Sequence, residues 1–244
     1  MDGVLNLHKP RGITSTQALE EVRRITGQRR SGHAGSLDPL AEGVLLIVLG
    51  GGTKLVEALM DQPKVYRVVA ALDLTSPSFD LELATTPVAV ERPPTREQIA
   101  TILCGLEGCS EQVPPATSAI KLCGRPAYAL ARAGRPPVLA ARPIQIYWIH
   151  LHRYDWPRLD IEIACGRGTY VRALIRDIGA RLGTGGCLTA LQRLAVGPFH
   201  SDASWTLERL RDCAAPAACV MPLAAARGLL AERPVALPPR PAAS

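Results

Sequence analysis

The sequence is short of aromatic residues, of lysine and of long apolar runs, and each shortage excludes something. Three Trp, five Tyr and two Phe make up only 4% of 244 residues, so a core has to be built from aliphatic side chains. No apolar stretch approaches the roughly 18 residues that cross a bilayer as a helix. The longest, Val44 to Leu49, is strand-sized. The N-terminus, Met-Asp-Gly-Val-Leu-Asn-Leu-His-Lys-Pro, lacks a basic lead-in followed by an apolar run and a small-residue cleavage site. The cytoplasm is therefore the expected compartment. The seven cysteines are odd in number and never stand at Cys-x-x-Cys spacing, which removes the usual zinc and thioredoxin signatures and leaves reduced thiols in packing roles.

Hydrophobic residues make up 47% of the chain and charged residues 20%, ordinary values for a globular protein of one large domain or two small ones. The net charge is +6, and only Lys9, Lys54, Lys64 and Lys121 among the 28 basic residues are lysines. An arginine offers a planar fork to phosphate and a flat face to a base, so the bias suits a nucleic-acid partner. A GC-rich genome would give the same bias, and charge alone does not decide between the two.

Thr14 and Gln17 have capping-box spacing ahead of Ala18, Leu19, Val22 and Ile25, with Gly27 behind, which predicts a helix over 15–26. Thr95 and Gln98 repeat the spacing and predict a helix ending near Gly108. Residues 29–40 read as a loop, Gly43 to Leu49 and Lys64 to Leu74 as strands, and Thr53 to Asp61 as a short helix. An extended segment is expected from Pro114 through Lys121, and a helix over 126–133. Between Arg142 and Tyr154 the alternation runs through Ile144 and Ile146, then shifts to Ile149 and Leu151, a slip that predicts a bulge. A cleaner strand follows over 159–165. Val171, Leu174, Ile175, Ile178 and Leu182 fall at helical spacing, with Thr169 as cap and Gly183 as stop. The irregular mixture, with no steady βαβ rhythm, indicates an α+β fold around a mixed, mostly antiparallel central sheet. A domain over 1–232 and a Pro-rich disordered tail over 233–244 are expected, with no room for a further C-terminal RNA-binding domain.

The loop from Arg29 to Gly43 places three glycines, a histidine and two carboxylates between a basic helix end and a buried strand. Anchored loops of this kind carry reactive groups. Pro39 disfavours helix at Asp38 and helps to hold that side chain in one direction, although an Asp-Pro pair taken alone also reads as a turn starter. Glu42 could form a carboxylate pair with Asp38 of the kind a glycosidase uses. The run Gly50-Gly51-Gly52-Thr53-Lys54 has phosphate-loop ingredients in the wrong order, because the nucleotide pattern needs Gly-Lys before Ser or Thr.

Five separated motifs resemble those of the bacterial tRNA pseudouridine synthases of the B type. Lys9-Pro10, Gly12 and Thr14-Ser15 match the family's N-terminal signature, and Gly32-His33, Gly35 and Leu37-Asp38-Pro39 through Gly43 match its catalytic loop. Lys64 with Tyr66, Pro114-Pro115 with Ser118 to Lys121, and Gly168 to Arg172 with Asp177 to Gly179 match the rest, covering nearly the whole chain. The resemblance implies isomerisation of uridine to pseudouridine in the T-loop of tRNA. That reaction gains no atom and loses no electron, so neither metal nor other cofactor is implied. Asp38 matches the catalytic aspartate, Arg172 the arginine paired with it, and Tyr66 the active-site tyrosine that stacks on the base. Leu191 matches an apolar residue of the uracil pocket. Lys121, Arg167 and Tyr170 line the site or the backbone path, and His33 fills the space of an extruded nucleotide. Arg29 and Arg30 would neutralise phosphates of the tRNA T-stem-loop. No membrane partner is implied, and the chain is expected to act as a monomer.

The departures from the family pattern include Ser76-Pro77-Ser78-Phe79-Asp80 in place of a Thr-Asp-Thr-x-Asp turn, Thr117 at an aromatic position and Gln192 at an arginine position. None removes a proposed catalytic group. Two other readings remain open on the residues alone: a non-catalytic tRNA-binding or folding module using the same surface, and a small-molecule glycosidase using Asp38 with Glu42.

Overall fold

The computed structural model describes residues 1–118, 120–122, 124–232 and 239–241. Apart from 239–241, the expected tail therefore lies outside the described residues. In chain order the first half contains strand β1 (Gly3–Lys9), helix α1 (Ser15–Thr26), β2 (Ser31–Ala34), β3 (Glu42–Leu49), α2 (Val56–Asp61), β4 (Lys64–Ala71), the short strands β5 (Leu74–Thr75) and β6 (Thr86–Pro87), and α3 (Arg96–Cys104). Then come β7 (Gly108–Gln112), β8 (Lys121–Leu122), β9 (Arg125–Pro126), α4 (Ala127–Arg132), β10 (Arg142–Asp155) and β11 (Arg158–Cys165). The chain continues through α5 (Val171–Leu182), β12 (Cys187–Val196), β13 (Phe199–His200), α6 (Leu207–Asp212), β14 (Met221–Pro222) and α7 (Leu223–Glu232). Among the described residues no helix is long and apolar enough to cross a membrane.

The chain divides into two compact units, Met1–Arg67 with Leu191–Pro239, and Val68–Ala190 with Arg240–Ser244. In the first, β3 pairs antiparallel with the whole of β1 and, at its C-terminal end, with β2. Gln192 and Arg193 of β12 lie parallel to Glu42 and Gly43 at the start of β3. Gly43 has φ 102° there, and a Cβ would run into the Arg193 backbone, so only glycine permits this approach. The core of the unit is aliphatic, as the shortage of aromatics requires. Val4, Val44, Leu46, Val48, Leu59 and Val196 pack there with Phe199.

In the second unit β10 pairs antiparallel with β11 on one side and β7 on the other. The predicted bulge is present: register shifts fall between Ile146 and Trp148 and between Leu151 and Arg153. Trp148 and Ile149, beside the first of these shifts, are both buried. The strand pairing is mixed and largely antiparallel, as the α+β reading expects.

Both predicted capping boxes form. Thr14 Oγ1 accepts from Gln17 N–H and Thr14 N–H donates to Gln17 Oε1, with the same exchange between Thr95 and Gln98. Gly183 closes α5 in the left-handed region. Four local readings need correction. Residues 29–40 are not all loop, because Ser31–Ala34 pairs with β3 and so puts His33 on a strand. α3 stops at Cys104, four residues before Gly108. The segment after Pro114 is not extended throughout, since Ser118 N–H turns back to Pro115 O. Thr169 does not cap α5: the cap is Tyr170, which makes no side-chain capping bond, and Thr169 Oγ1 is buried without a hydrogen bond.

Candidate active site

Of the residues singled out above, Arg29, Arg30, His33, Asp38, Tyr66 and Leu191 lie in the first unit, and Lys121, Arg167, Tyr170 and Arg172 in the second. In the first unit the two N-terminal motifs are one structure. Ser15 Oγ, buried at the start of α1, accepts from Leu37 N–H at 2.8 Å and donates to Leu37 O at 3.0 Å. Gly12 N–H donates to Pro39 O at 2.7 Å. The residues on either side of Asp38 are thus pinned by the Lys-Pro-x-Gly-x-Thr-Ser segment, while Asp38 itself stays half-buried. Its carbonyl accepts from Ala41 N–H at 3.0 Å, closing the turn that Pro39 starts.

Arg193, 1% exposed, holds the loop from below. Its Nε donates to Val44 O at 2.6 Å, Nη2 to Gly35 O at 3.0 Å and Nη1 to Ser36 O at 3.5 Å. Sequence reading did not single out this residue, since an arginine on a strand gives no periodic signal of burial. Lys9 is a second buried cation in the unit, its Nζ donating to Pro10 O and Ile13 O at 2.8 Å each. Burial pushes its pKa down to about 8, with the charges of Asp38 and Glu42 pulling upward and that of Arg193 downward. His33 is held below its ordinary value by burial first and by the Arg193 charge second, both of which favour the uncharged imidazole.

Tyr66 on β4 and Leu191 on β12 are buried, 9% and 6% exposed. Arg29 and Arg30 are exposed immediately before β2, suitably solvated for phosphate.

In the second unit Arg172 is 3% exposed, and Asp80, its partner, 1%. Being off the apolar stripe of α5 does not make Arg172 a solvated residue. Its Nε lies 3.6 Å from Asp80 Oδ2, and Nη1 donates to Ser78 O at 3.1 Å and to Thr117 Oγ1 at 2.7 Å. The departing turn at 76–80 therefore builds part of the arginine's surroundings. It is closed by Ser76 Oγ donating to Asp80 O and by Phe79, which takes φ 62°. Tyr170 is half-buried two residues before Arg172, and the exposed Arg167 precedes Gly168 in the turn that leads into α5. Lys121 begins β8, opposite Pro126. Sequence reading missed Asp80 and Gln112 as partners of this segment and took Thr117 only as a departure. Among the described residues no group of three or more His, Cys, Asp or Glu could hold a metal ion.

A mixed, largely antiparallel sheet with helices and a clamped Asp-Pro loop defines the class, and comparison with known proteins gives the family. The TruB family pseudouridylate synthase N-terminal domain model matches residues 23–171, and the tRNA pseudouridylate synthase B C-terminal domain model matches 172–225. The tRNA pseudouridine synthase B of Aromatoleum aromaticum is 43% identical over 213 residues, 86% of this chain and 68% of the relative. That of Escherichia coli K12 is 42% identical over 214 residues, 87% and 67% of the two chains. Among solved structures, a chain of a Cbf5-Nop10-Gar1 complex superposes with a TM-score of 0.68 at 28% identity, covering 86% of this chain. A chain of an H/ACA RNP bound to a substrate RNA containing 2'-deoxyuridine gives 0.64 at 26%, again over 86%. This chain spans about half the length of those two, 54% and 52%. The chain belongs to the TruB family of pseudouridylate synthases.

Proposed function

We propose that the protein converts uridine to pseudouridine in the T-loop of tRNA, with Asp38 as the catalytic carboxylate. The reaction breaks the bond from N1 of uracil to C1′ of ribose, turns the base and joins its C5 to the same carbon. Asp38 acts either by attacking C1′ to give a covalent intermediate or by taking the C2′ proton to give a glycal. The observation that carries the reading is the clamp on the loop: Leu37 and Pro39 are fixed on either side of the half-buried Asp38. That is the preorganisation a reacting group needs.

The other roles follow the family resemblance. Arg172 is the guanidinium matched to the catalytic carboxylate, Tyr66 stacks on the target base, and Leu191 contributes to the uracil pocket. His33, uncharged, fills the place of the extruded nucleotide, and Arg29 and Arg30, with Lys121, Arg167 and Tyr170, contact the RNA. The protein works in the cytoplasm as a monomer. The test is Asp38→Asn on an unmodified tRNA transcript, with pseudouridine mapped by carbodiimide adducts and primer extension. The amide keeps the shape of the side chain but is neither nucleophile nor base, so no product is expected at a tRNA affinity within about threefold of wild type. Product at the wild-type rate would refute the assignment.

A further inference from the structure

We infer that the segment from the end of β7 through the Pro-Pro turn, carrying Gln112 and Thr117, is the positioning element for Arg172. This rests on the reading of Arg172 given above. Gln112 is 3% exposed, and its side-chain amide is spent on one residue: Oε1 accepts from Tyr170 N–H at 2.9 Å and Nε2 donates to Tyr170 O at 3.2 Å. The pair is the equivalent of one rung of an antiparallel ladder made by a side chain. Tyr170 is the N-cap of α5 and makes no side-chain capping bond of its own. The start of the helix is therefore fixed from outside, two residues before Arg172.

Five residues beyond Gln112 the same segment takes hold of the guanidinium itself. Thr117 Oγ1 accepts from Nη1 at 2.7 Å, and Thr117 O lies 3.5 Å from Nη2. Asp80 faces the Nε edge of the same planar group. A guanidinium held on two edges has its plane fixed, which a single one-point contact would not achieve. Pro114 and Pro115 restrict the intervening backbone, and the Ser118 N–H to Pro115 O bond closes the turn at 3.1 Å. The two anchors are thereby coupled. The hydroxyl anchor is one of this chain's departures, because the resemblance puts an aromatic residue at position 117.

The test compares Thr117→Val, Thr117→Ser and wild type in single-turnover pseudouridine formation on unmodified tRNA, with tRNA affinity and thermal midpoint measured on each. Valine keeps the shape and removes the acceptor. Its rate constant is expected to fall about 10- to 100-fold, with affinity within about twofold and the midpoint nearly unchanged, and serine is expected to restore the rate to within about threefold. Valine as fast as wild type, or serine as slow as valine, would overturn the inference. The Gln112 anchor is read without activity, by hydrogen exchange at the Tyr170 amide in Gln112→Met. Exchange about tenfold faster or more supports the clamp, and unchanged exchange overturns it. A wild-type protein that makes no pseudouridine would instead bring down the functional reading and, with it, the kinetic role of Thr117, while the exchange result would still judge the clamp.

Discussion

Arg193→Met separates the loop clamp from the chemistry it supports. Two bonds of 2.6 and 3.0 Å tie the guanidinium to the carbonyls of Val44 and Gly35, and a longer one reaches Ser36. Hydrogen bonds from a charged donor contribute about 1.5–3 kcal/mol each, so the loss of the two short ones amounts to about 3–6 kcal/mol. Methionine preserves most of the apolar stem and removes a buried cation, whose desolvation offsets part of that loss. The expected net destabilisation is about 2–4 kcal/mol, a large share of the roughly 5–15 kcal/mol of a typical domain. Urea unfolding followed by the fluorescence of Trp205, which belongs to the same unit, measures it. A second reading comes from His33. Because the Arg193 charge is the second cause of its lowered pKa, after burial, the imidazole should titrate higher in the variant while staying below its ordinary 6.5. With Gly35 and Ser36 released, pseudouridine formation should fall at least about tenfold. A variant within about 0.5 kcal/mol of wild type, the ordinary range for a change with no such role, together with an unmoved His33, would refute the reasoning.

Two further outcomes are expected. Lys9 has a pKa of about 8 in the folded chain against an ordinary 10.5, so the unfolded chain binds more protons between those values. The cost of the buried charge is fully present below pH 8 and is relieved as pH rises toward 10.5. Wild type should therefore gain up to about 3 kcal/mol over Lys9→Met across that window, and a flat difference in denaturation profiles would refute it. Asp80→Asn removes the negative charge 3.6 Å from the buried Arg172 guanidinium. A loss of about 3 kcal/mol is expected by denaturant titration, and an unchanged midpoint would remove Asp80 from the arginine's surroundings.

Local order was readable in the sequence wherever the physics is local. Both Thr-x-x-Gln boxes, the glycine stop after α5, and the phase slip in β10 are consequences of residues within a few positions of one another. Asp38 stood out because Pro39 and the glycines around it restrict their own backbone. The strand at His33 was not readable, since four residues of mixed character acquire their conformation only by pairing with β3. The same holds for the cap of α5, where a threonine of suitable type does not cap and the Tyr170 backbone is held by Gln112, 58 positions away.

The sequence by itself determined which faces are apolar, where the two capping-box helices begin, where α1 and α5 stop, and which loop carries the carboxylate. Only the tertiary structure decided which buried polar groups meet. Arg193 reaches Val44 across 149 positions, and Arg172 reaches Ser78 across 94. The physical reason is that apolar burial is non-directional and leaves a period in the chain, whereas a guanidinium is satisfied only by acceptors at particular distances and angles. Those of Arg193, and Ser78 O for Arg172, are backbone carbonyls, which every residue possesses and no sequence pattern marks.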